Sequence, residues 1–395
     1  MATSLREVFY WVQDVWQYVN VNLERRSLRQ PGRGTDYSRE TQGGSTIVSG
    51  IHPKRMRLRL TGINQDTKSS KTFSFERLDG PIPPFRPGQY INLFLDVDGV
   101  MTSRPYSIAS SPVAQTLELT VRYNPGGFVA PYILNELAIG DEVLSTGPEG
   151  HFYHEPLIDG HELVFLAGGS GITPFMSMIR YFLTTDAPQP PPEITLIYGS
   201  RMADDIIYND ELTRLSAEYP NFKYVSIISE PPPNFDGVTG LLDASLISRF
   251  VPNIEGKTFY ICGPNAMYDL CLSALIKLGI PRYRIKRELY GPPEDITSVP
   301  GWPAEVQPES IFDIDIAGIK QIRAPAGEPL MNSLERYGIV VPAICRVGEC
   351  SACRVRLLKG KVFMPPQTGI RESDRDFGYI HACVSYPLED LQIRI

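Results

Sequence analysis

The chain has 395 residues and a formal net charge of -7, with 42% hydrophobic and 21% charged residues. This length favours two to four domains over a single core, and the acidic balance argues against nucleic acid as the main partner. No apolar run approaches the roughly 18 residues of a membrane-spanning helix, and the N-terminus lacks an uninterrupted apolar core of the signal-peptide kind. We therefore expect a cytoplasmic protein, in which clustered cysteines bind metal more often than they form disulfides.

Residues 1–50 contain an apolar stripe at helical spacing, and residues 30–50 have the composition of a flexible linker. The stripe consists of Leu5, Val8, Phe9, Val12, Val15, Trp16 and Val19. It predicts an amphipathic helix that packs on the rest of the chain. Docking to a partner protein or dimerisation is the main alternative, and attachment to a membrane surface is the least favoured one.

Residues 51–158 alternate short apolar strands with glycine and proline turns, and the sequence RPYS occupies positions 104–107. Strands without intervening helices predict a small antiparallel β-barrel. Gly126 and Gly127 open one apolar helical stretch that ends near Gly140. The start of a helix presents free N–H groups to an anion, so we expect a phosphate there.

Residues 159–290 begin with an apolar strand that runs into the glycine turn GGSG and then into a helix. Pro174 suits the first turn of that helix, where its missing N–H costs nothing. The glycines Gly168, Gly169 and Gly171 allow a pyrophosphate to approach the backbone, although the spacing is not GxGxxG. A purely structural turn is the alternative interpretation.

Further strands and helices alternate after this turn, which predicts a parallel α/β sheet. The sequence CGP, at residues 262–264, follows one of these strands. It therefore lies at the carboxyl end of the strand, where open α/β sheets bind their ligands.

The segment 291–306 is rich in proline and glycine and is expected to form a semi-rigid tether. Residues 307–395 contain equal numbers of acidic and basic side chains. Since a short tether maintains a high local concentration, we expect this last part to dock without complementary charge.

Four cysteines in this last part have the spacing of a plant-type [2Fe–2S] site, C-x4-C-x2-C with one remote cysteine. They are Cys345, Cys350, Cys353 and Cys383. Zinc is the structural alternative, but it usually requires two short-spaced cysteine pairs, and the sequence has only one. The surrounding pattern of strands and one helix ending at Gly338 resembles the β-grasp fold of plant-type ferredoxins.

The order RPYS, GGSGITP and CGP resembles the ferredoxin–NADP reductase superfamily. With the C-terminal ferredoxin-like part, the chain is similar to phthalate dioxygenase reductase, to other oxygenase reductases and to the reductase of hybrid cluster protein. The resemblance implies a flavin-binding β-barrel, a nicotinamide-binding α/β domain and a β-grasp ferredoxin domain. These would follow the N-terminal helical extension as residues 51–158, 159–290 and 307–395, with 291–306 as the linker.

The resemblance also implies roles for individual residues. The expected catalytic residues are Ser107, Cys262, Glu288 and Tyr290. The expected cofactor-binding residues are Arg104, Pro105, Tyr106, Ser107, Arg122, Gly126, Gly127, Gly168, Gly169, Ser170, Gly171, Thr173, Ser200, Arg201, Cys262, Gly263, Pro264 and Tyr290. Among these, Arg104 would hold a flavin phosphate, Tyr106 would lie on the flavin ring, and Tyr290 would cover the ring until nicotinamide displaces it.

FAD is preferred to FMN, because two glycines at a helix start suit a second phosphate, although Ala130 replaces the serine found in FAD-binding relatives. NADH is preferred to NADPH, because the segment SIISEPPPNF offers Glu230 and no arginine for a 2′-phosphate. Arg201 is the alternative residue that could supply a positive charge to the 2′-phosphate of NADPH.

The expected function is electron transfer from NADH through FAD and a [2Fe–2S] cluster to a redox partner protein. The partner would be an oxygenase, a hybrid-cluster enzyme or another metalloenzyme. Flavin connects a hydride donor with a one-electron cluster because it accepts two electrons and releases them singly. The alternative is a self-contained flavin and iron–sulfur reductase that acts on a small molecule.

Overall fold

The computed structural model describes residues 15, 16, 19, 55–124, 127–183, 190–293, 295–366 and 368–395. Met1–Ile51 and His52–Ile395 form two compact units. Of the predicted N-terminal stripe, Val15, Trp16 and Val19 are helical and exposed, and the rest of it lies outside the described residues. Within the described part of the chain, no helix is long and apolar enough to cross a membrane.

The first sheet is antiparallel and curls into the predicted barrel. Its strands are β1 (Met56–Thr67), β2 (Ser70–Arg77), β3 (Tyr90–Val97), β4 (Val100–Ser107), β5 (Leu117–Arg122) and β6 (Glu142–Ser145). They lie in the order β4-β3-β6-β1-β2-β5, and a bridge from Ile108 to Leu119 joins the two ends. Alternate side chains such as Leu58, Leu60 and Phe75 are buried, as expected for strands with one face toward a core.

The helix of the barrel is shorter than the sequence predicted. Helix α1 spans Val129–Asn135 and does not reach Gly140, while Gly126 lies outside the described residues. Glu136 caps the end of α1, with its backbone N–H donating to the Tyr132 carbonyl, and in the turn that follows the carboxylate of Asp141 accepts a 2.9 Å hydrogen bond from the backbone N–H of Ala138. Gly140 itself has a φ of 101°, which favours glycine.

The second sheet is parallel throughout and carries helices on both faces. Its strands are β7 (Glu162–Gly168), β8 (Glu193–Ser200), β9 (Phe222–Ile228), β10 (Val238–Thr239), β11 (Thr258–Cys262) and β12 (Ile285–Glu288), in the order β10-β9-β8-β7-β11-β12. The helices are α2 (Pro156–Asp159), α3 (Ile172–Phe182), α4 (Asn209–Glu218), α5 (Ala244–Phe250) and α6 (Asn265–Lys277). Helices α3 and α4 cover one face and α5 and α6 the other. Burial on both faces explains why β7 and β11 are continuously apolar after their first residues, Glu162 and Thr258.

The C-terminal sheet packs around one helix in the predicted β-grasp arrangement. Its strands are β13 (Ile311–Ile316), β14 (Lys320–Pro325), β15 (Arg354–Lys359), β17 (Tyr379–His381) and β19 (Leu391–Arg394), in the order β14-β13-β19-β15-β17. A small pair, β16 (Val362–Phe363) and β18 (Tyr386–Pro387), lies beside them, as do helices α7 (Leu330–Arg336) and α8 (Glu372–Asp376). Helix α7 buries Leu330, Met331 and Leu334 in this core.

The described part of the segment 291–306 packs on the C-terminal sheet and is more ordered than the predicted tether. Ile296 is buried. The Trp302 ring meets Phe363 and Tyr386 edge-on, with centroids 5.4 and 6.2 Å away. Such aromatic pairs add stability beyond their buried area, so this end of the segment is part of the C-terminal fold.

Candidate active site

A cavity of about 340 Å³ opens where the barrel, the parallel sheet and the C-terminal sheet meet. It has the size of a small-molecule site. The predicted residues that line it are Arg104, Pro105, Tyr106, Ser107, Arg122, Gly127, Ser170, Thr173, Tyr290 and the cluster cysteine Cys383. The fold therefore brings together motifs that are nearly 280 positions apart in sequence.

The barrel wall of this cavity consists of the RPYS sequence on β4. The guanidinium of Arg104 donates hydrogen bonds to the Thr102 hydroxyl at 2.6 Å and to the Ser103 carbonyl at 2.8 Å. Burial raises the pKa of the Tyr106 phenol well above its usual range, so this ring stays neutral. A cation and an uncharged aromatic ring on one strand face suit a phosphate and the flat ring of a flavin.

The glycine turn after β7 packs directly on the CGP turn after β11. Strands β7 and β11 are neighbours, with Ala167 opposite Cys262. A Cβ atom on Gly171 would lie 2.2 Å from the Cys262 carbonyl oxygen, and one on Gly168 would lie 2.4 Å from the Met267 sulfur. Only glycine permits this approach. No side-chain cap closes the start of α3 at Gly171, and an uncapped helix start is a site where proteins bind anions.

The four predicted catalytic residues lie close together. The Ser107 and Tyr290 hydroxyls are 2.8 Å apart, and the Cys262 thiol hydrogen-bonds with Tyr290. Glu288 lies beside Cys262 because β11 and β12 pair at this position. Burial and the nearby carboxylate of Glu349 raise the pKa of Glu288 to about 8, so most of this carboxyl group is protonated at neutral pH.

The remaining predicted nicotinamide residues lie outside the cavity wall. The Ser200 hydroxyl donates to the carbonyls of Met202 and Asp205 at 3.0 and 3.1 Å, which shapes the loop after β8. Arg201 is exposed and makes a bidentate ion pair with Glu230. The residues Gly168, Gly169, Gly171, Cys262, Gly263 and Pro264 form the two packed turns next to the cavity.

The four cysteines lie in two pairs. The Cys345 sulfur accepts a hydrogen bond from the backbone N–H of Cys350 at 3.4 Å, and the sulfurs of Cys353 and Cys383 are 3.2 Å apart. Within each pair one thiol hydrogen-bonds to the other, which lowers the pKa of Cys350 to about 6 and the pKa of Cys353, and raises the pKa of Cys345 and of Cys383. Thiolates are the form that iron binds.

This paired arrangement fits a two-iron cluster. Among the described residues, no three metal-ligating side chains gather around a single point, whereas a [2Fe–2S] cluster takes two thiolates on each iron. Gly348 in the cysteine loop has a φ of 82°. Its carbonyl is fixed by a 2.8 Å hydrogen bond with the buried ring of His381. The loop is thus preformed for the cluster.

The sequence analysis missed three residues that join the C-terminal sheet to the barrel. The buried carboxylate of Glu335 on α7 accepts a 3.0 Å hydrogen bond from Thr102 and lies 3.6 Å from Arg104. Arg346, next to Cys345, pairs with the same carboxylate. The prediction that this docking needs no complementary charge was therefore wrong.

Similar contacts join the barrel to the parallel sheet. Asp205, in the loop after β8, accepts hydrogen bonds from Thr67 and Ser69 at 2.6 Å each and forms an ion pair with Arg122. The only available signal in the sequence was the acidic pair Asp204 and Asp205 near a predicted site. Nothing in the sequence indicated which strand they would meet.

Comparisons with known proteins agree with this geometry. Residues 58–154 match the oxidoreductase FAD-binding domain family, residues 165–272 the oxidoreductase NAD-binding domain family, and residues 314–388 the 2Fe-2S iron-sulfur cluster binding domain family. The glycine betaine monooxygenase reductase subunit of Pseudomonas aeruginosa (strain UCBPP-PA14) is 31% identical over 352 residues, which is 85% of this chain and 94% of that protein. The chain belongs to the family of oxygenase reductase components.

Two further likenesses support the same assignment. The stachydrine N-demethylase reductase subunit of Rhizobium meliloti is 27% identical and covers 82% of this chain and 91% of its own. The structure of phthalate dioxygenase reductase has a TM-score of 0.63 at 21% identity, over 86% of this chain and 98% of its own, which is a likeness of fold. The predicted electron-transfer oxidoreductase with FAD-, NAD- and [2Fe–2S]-binding domains is confirmed.

The cofactor content of the purified reductase gives a direct test of the two sites. We expect about one flavin and two iron atoms per chain, with acid-labile sulfide, because four thiolates ligate a [2Fe–2S] cluster. Metal analysis and flavin release measure both. Stoichiometric zinc without sulfide would contradict the cluster assignment.

Proposed function

We propose that this reductase passes electrons from NADH through FAD and its [2Fe–2S] cluster to a partner oxygenase. One observation carries this order. The cluster cysteine Cys383 lines the same cavity as the RPYS residues of the FAD-binding domain. A ligand on the barrel wall therefore lies next to the cysteine loop of the ferredoxin domain.

The nicotinamide end of the path is assigned to the two packed turns. The glycine turn would bind the pyrophosphate through backbone N–H groups at the start of α3. Cys262 and Gly263 would border the nicotinamide ring. The hydrogen-bonded hydroxyls of Ser107 and Tyr290 hold the tyrosine ring over this position, so Tyr290 keeps water out until the nicotinamide displaces it.

The ferredoxin end requires an exposed exit for single electrons. Cys353 and Cys383 are buried, while Cys350 is exposed. Cys383 of the buried pair lines the cavity, and the exposed Cys350 lies toward solvent. A flavin bound there would supply the exchange between paired and single electrons, and Cys383 and Cys350 would form the inner and the outer edge of the cluster site.

The partner is assigned from the relatives. The Pseudomonas aeruginosa and Rhizobium meliloti proteins are reductase subunits of a monooxygenase and of an N-demethylase. We propose the same class of partner here, with docking of the N-terminal helix to that partner as the alternative to its packing on the rest of the chain. The domain boundaries at 158/159, 290/291 and 306/307 and the cytoplasmic location are part of the same proposal.

Reconstitution tests this function. With NADH and purified candidate oxygenases from the same organism, oxygen consumption and product formation should require the reductase. Cytochrome c should receive two electrons for each NADH consumed, since a hydride carries one electron pair. Steady turnover of a small molecule by the reductase alone, with no electron delivery to any protein, would contradict the proposal.

The preference for NADH is tested at Glu230. Wild-type protein should have the larger kcat/KM with NADH, because Glu230 occupies the guanidinium of Arg201. Glu230→Gln frees that cation for a 2′-phosphate, and the ratio of NADPH to NADH efficiency should rise about 3- to 10-fold, a modest gain because the pair is exposed. Glu218→Gln breaks a comparable exposed pair with Arg214 and serves as the control. Unchanged ratios in both variants would remove Arg201 from the nucleotide site.

A further inference from the structure

The ferredoxin domain forms part of the wall of the flavin cavity. Besides Cys383, it contributes Pro329, Asn332 and Arg346 to the lining. Pro329 and Asn332 belong to no motif identified in the sequence, and Arg346 is a non-ligand position of the cysteine loop. Arg346 is the only one of them that carries charge, and it faces the cavity together with Arg104 of the barrel.

The charges at this edge of the cavity do not balance. Arg104 and Arg346 share the single carboxylate of Glu335, which lies 3.6 Å from Arg104 and pairs directly with Arg346. The side chains of Glu335 and Arg346 are each only 7% exposed. In contrast, Arg122 on the same cavity has its own carboxylate in Asp205. Buried charge is normally compensated, and both arginines line the cavity, so they can accept a further anion from it.

Arg346 also has an unused hydrogen-bond donor. Its Nε has no partner among the described residues, although the residue is only 6% exposed. Its φ is 56°, a conformation that is uncommon for a residue other than glycine. A strained, buried residue with a free donor is typical of a ligand site.

We propose that Arg346 is a flavin-phosphate-binding residue, so that the ferredoxin domain completes the FAD site. The interdomain network of Thr102, Arg104, Glu335 and Arg346 would orient both guanidinium groups toward one phosphate. Docking of the ferredoxin domain and binding of FAD then strengthen each other, as linkage requires. This inference rests on the proposed assignment of Arg104 to the flavin.

The test compares ligands with and without a phosphate. Deflavinated full-length protein with its cluster intact is titrated with FAD and with riboflavin, followed by flavin fluorescence. Arg346→Gln should weaken FAD binding about 10- to 100-fold, the range for losing a charge-assisted hydrogen bond. Riboflavin binding should change by less than about threefold, because riboflavin has no phosphate. Arg323→Gln, which removes an exposed arginine of the same domain on β14, should change neither.

Other outcomes of this titration distinguish an error about Arg346 from an error about the whole flavin site. Equal weakening of FAD and riboflavin, or unchanged FAD binding with a shifted cluster potential, would overturn the proposal, since Arg346 would then serve the fold or the cluster. Arg104→Gln is the reference. If Arg104→Gln leaves FAD binding unchanged as well, the proposed flavin site is wrong as a whole.

If the Arg346→Gln protein does not retain its cluster, the Arg346→Lys variant is measured instead. The ratio of FAD to riboflavin affinity should then fall about 3- to 10-fold because a lysine lacks the planar fork, and an unchanged ratio would overturn the proposal.

Discussion

Replacing Cys350 with serine should stop electron delivery to cytochrome c and leave the reduction of flavin-accepting dyes by NADH near the wild-type rate. Cys350 is exposed and lies outside the cavity wall, so its loss removes a cluster ligand without touching the flavin site. The cytochrome c rate should fall about 100-fold or more, since the residues of one electron path act as a unit. Cys383 is a poorer choice, because it is buried and lines the cavity.

The control for this variant is Cys271→Ser. Cys271 is buried on α6, far from the cluster loop in sequence, with the Leu242 carbonyl 3.7 Å from its sulfur. A serine hydroxyl can use that carbonyl, so both rates should stay near wild type. If Cys350→Ser retained its flavin but lost both dye reduction and cytochrome c reduction, the substitution would have damaged the fold of the protein in general. Two unchanged activities would place the cluster outside the electron path.

Gly171→Ala should abolish efficient use of NADH. The added Cβ would lie 2.2 Å from the Cys262 carbonyl oxygen and 2.7 Å from the Gly263 Cα, so the two nicotinamide-binding turns must separate. A displacement of about 1 Å at a binding site can reduce kcat/KM by about 100-fold, and overpacking also lowers stability by about 1–3 kcal/mol. Steady-state kinetics and thermal unfolding measure the two effects.

Gly62→Ala is the matched control, because its Cβ would make only an ordinary 3.6 Å contact with Ser74. It should keep wild-type kinetics. FAD and iron contents of Gly171→Ala should stay near one flavin and two irons, since the change lies outside both sites. Wild-type kcat/KM in Gly171→Ala would show that the turns are not packed as described.

Local patterns were sufficient to predict most of the fold. The C-x4-C-x2-C spacing identified the cluster ligands because a short loop must supply three of the four thiolates. Phe175, Met178, Ile179 and Phe182 recur at helical spacing in the sequence, which predicts one buried face of α3; all four are at most 3% exposed, and the structure also buries Met176 and Ser177. Each of these signals is contained within about one element.

The interdomain contacts were beyond the reach of such patterns. Glu335 and Thr102 are hydrogen-bonded but 233 positions apart, and neither lies in a motif. The equal numbers of acidic and basic residues in the ferredoxin domain concealed the ionic contact, because a total charge does not show where a single buried carboxylate such as Glu335 lies. The length of α1 was overestimated because apolar residues continue to Ile139 in the sequence, whereas the helix ends at Asn135.

The central claim is that electrons from NADH reach the cluster only through FAD bound in the cavity between the barrel and the ferredoxin domain. Anaerobic mixing of NADH with deflavinated protein that retains its cluster tests it most directly, with the visible absorbance of the cluster as the signal. We expect no cluster reduction on the time scale of turnover, and full reduction once FAD is added back. Rapid cluster reduction without FAD would contradict the account, as would a cluster that stays oxidised after FAD is restored.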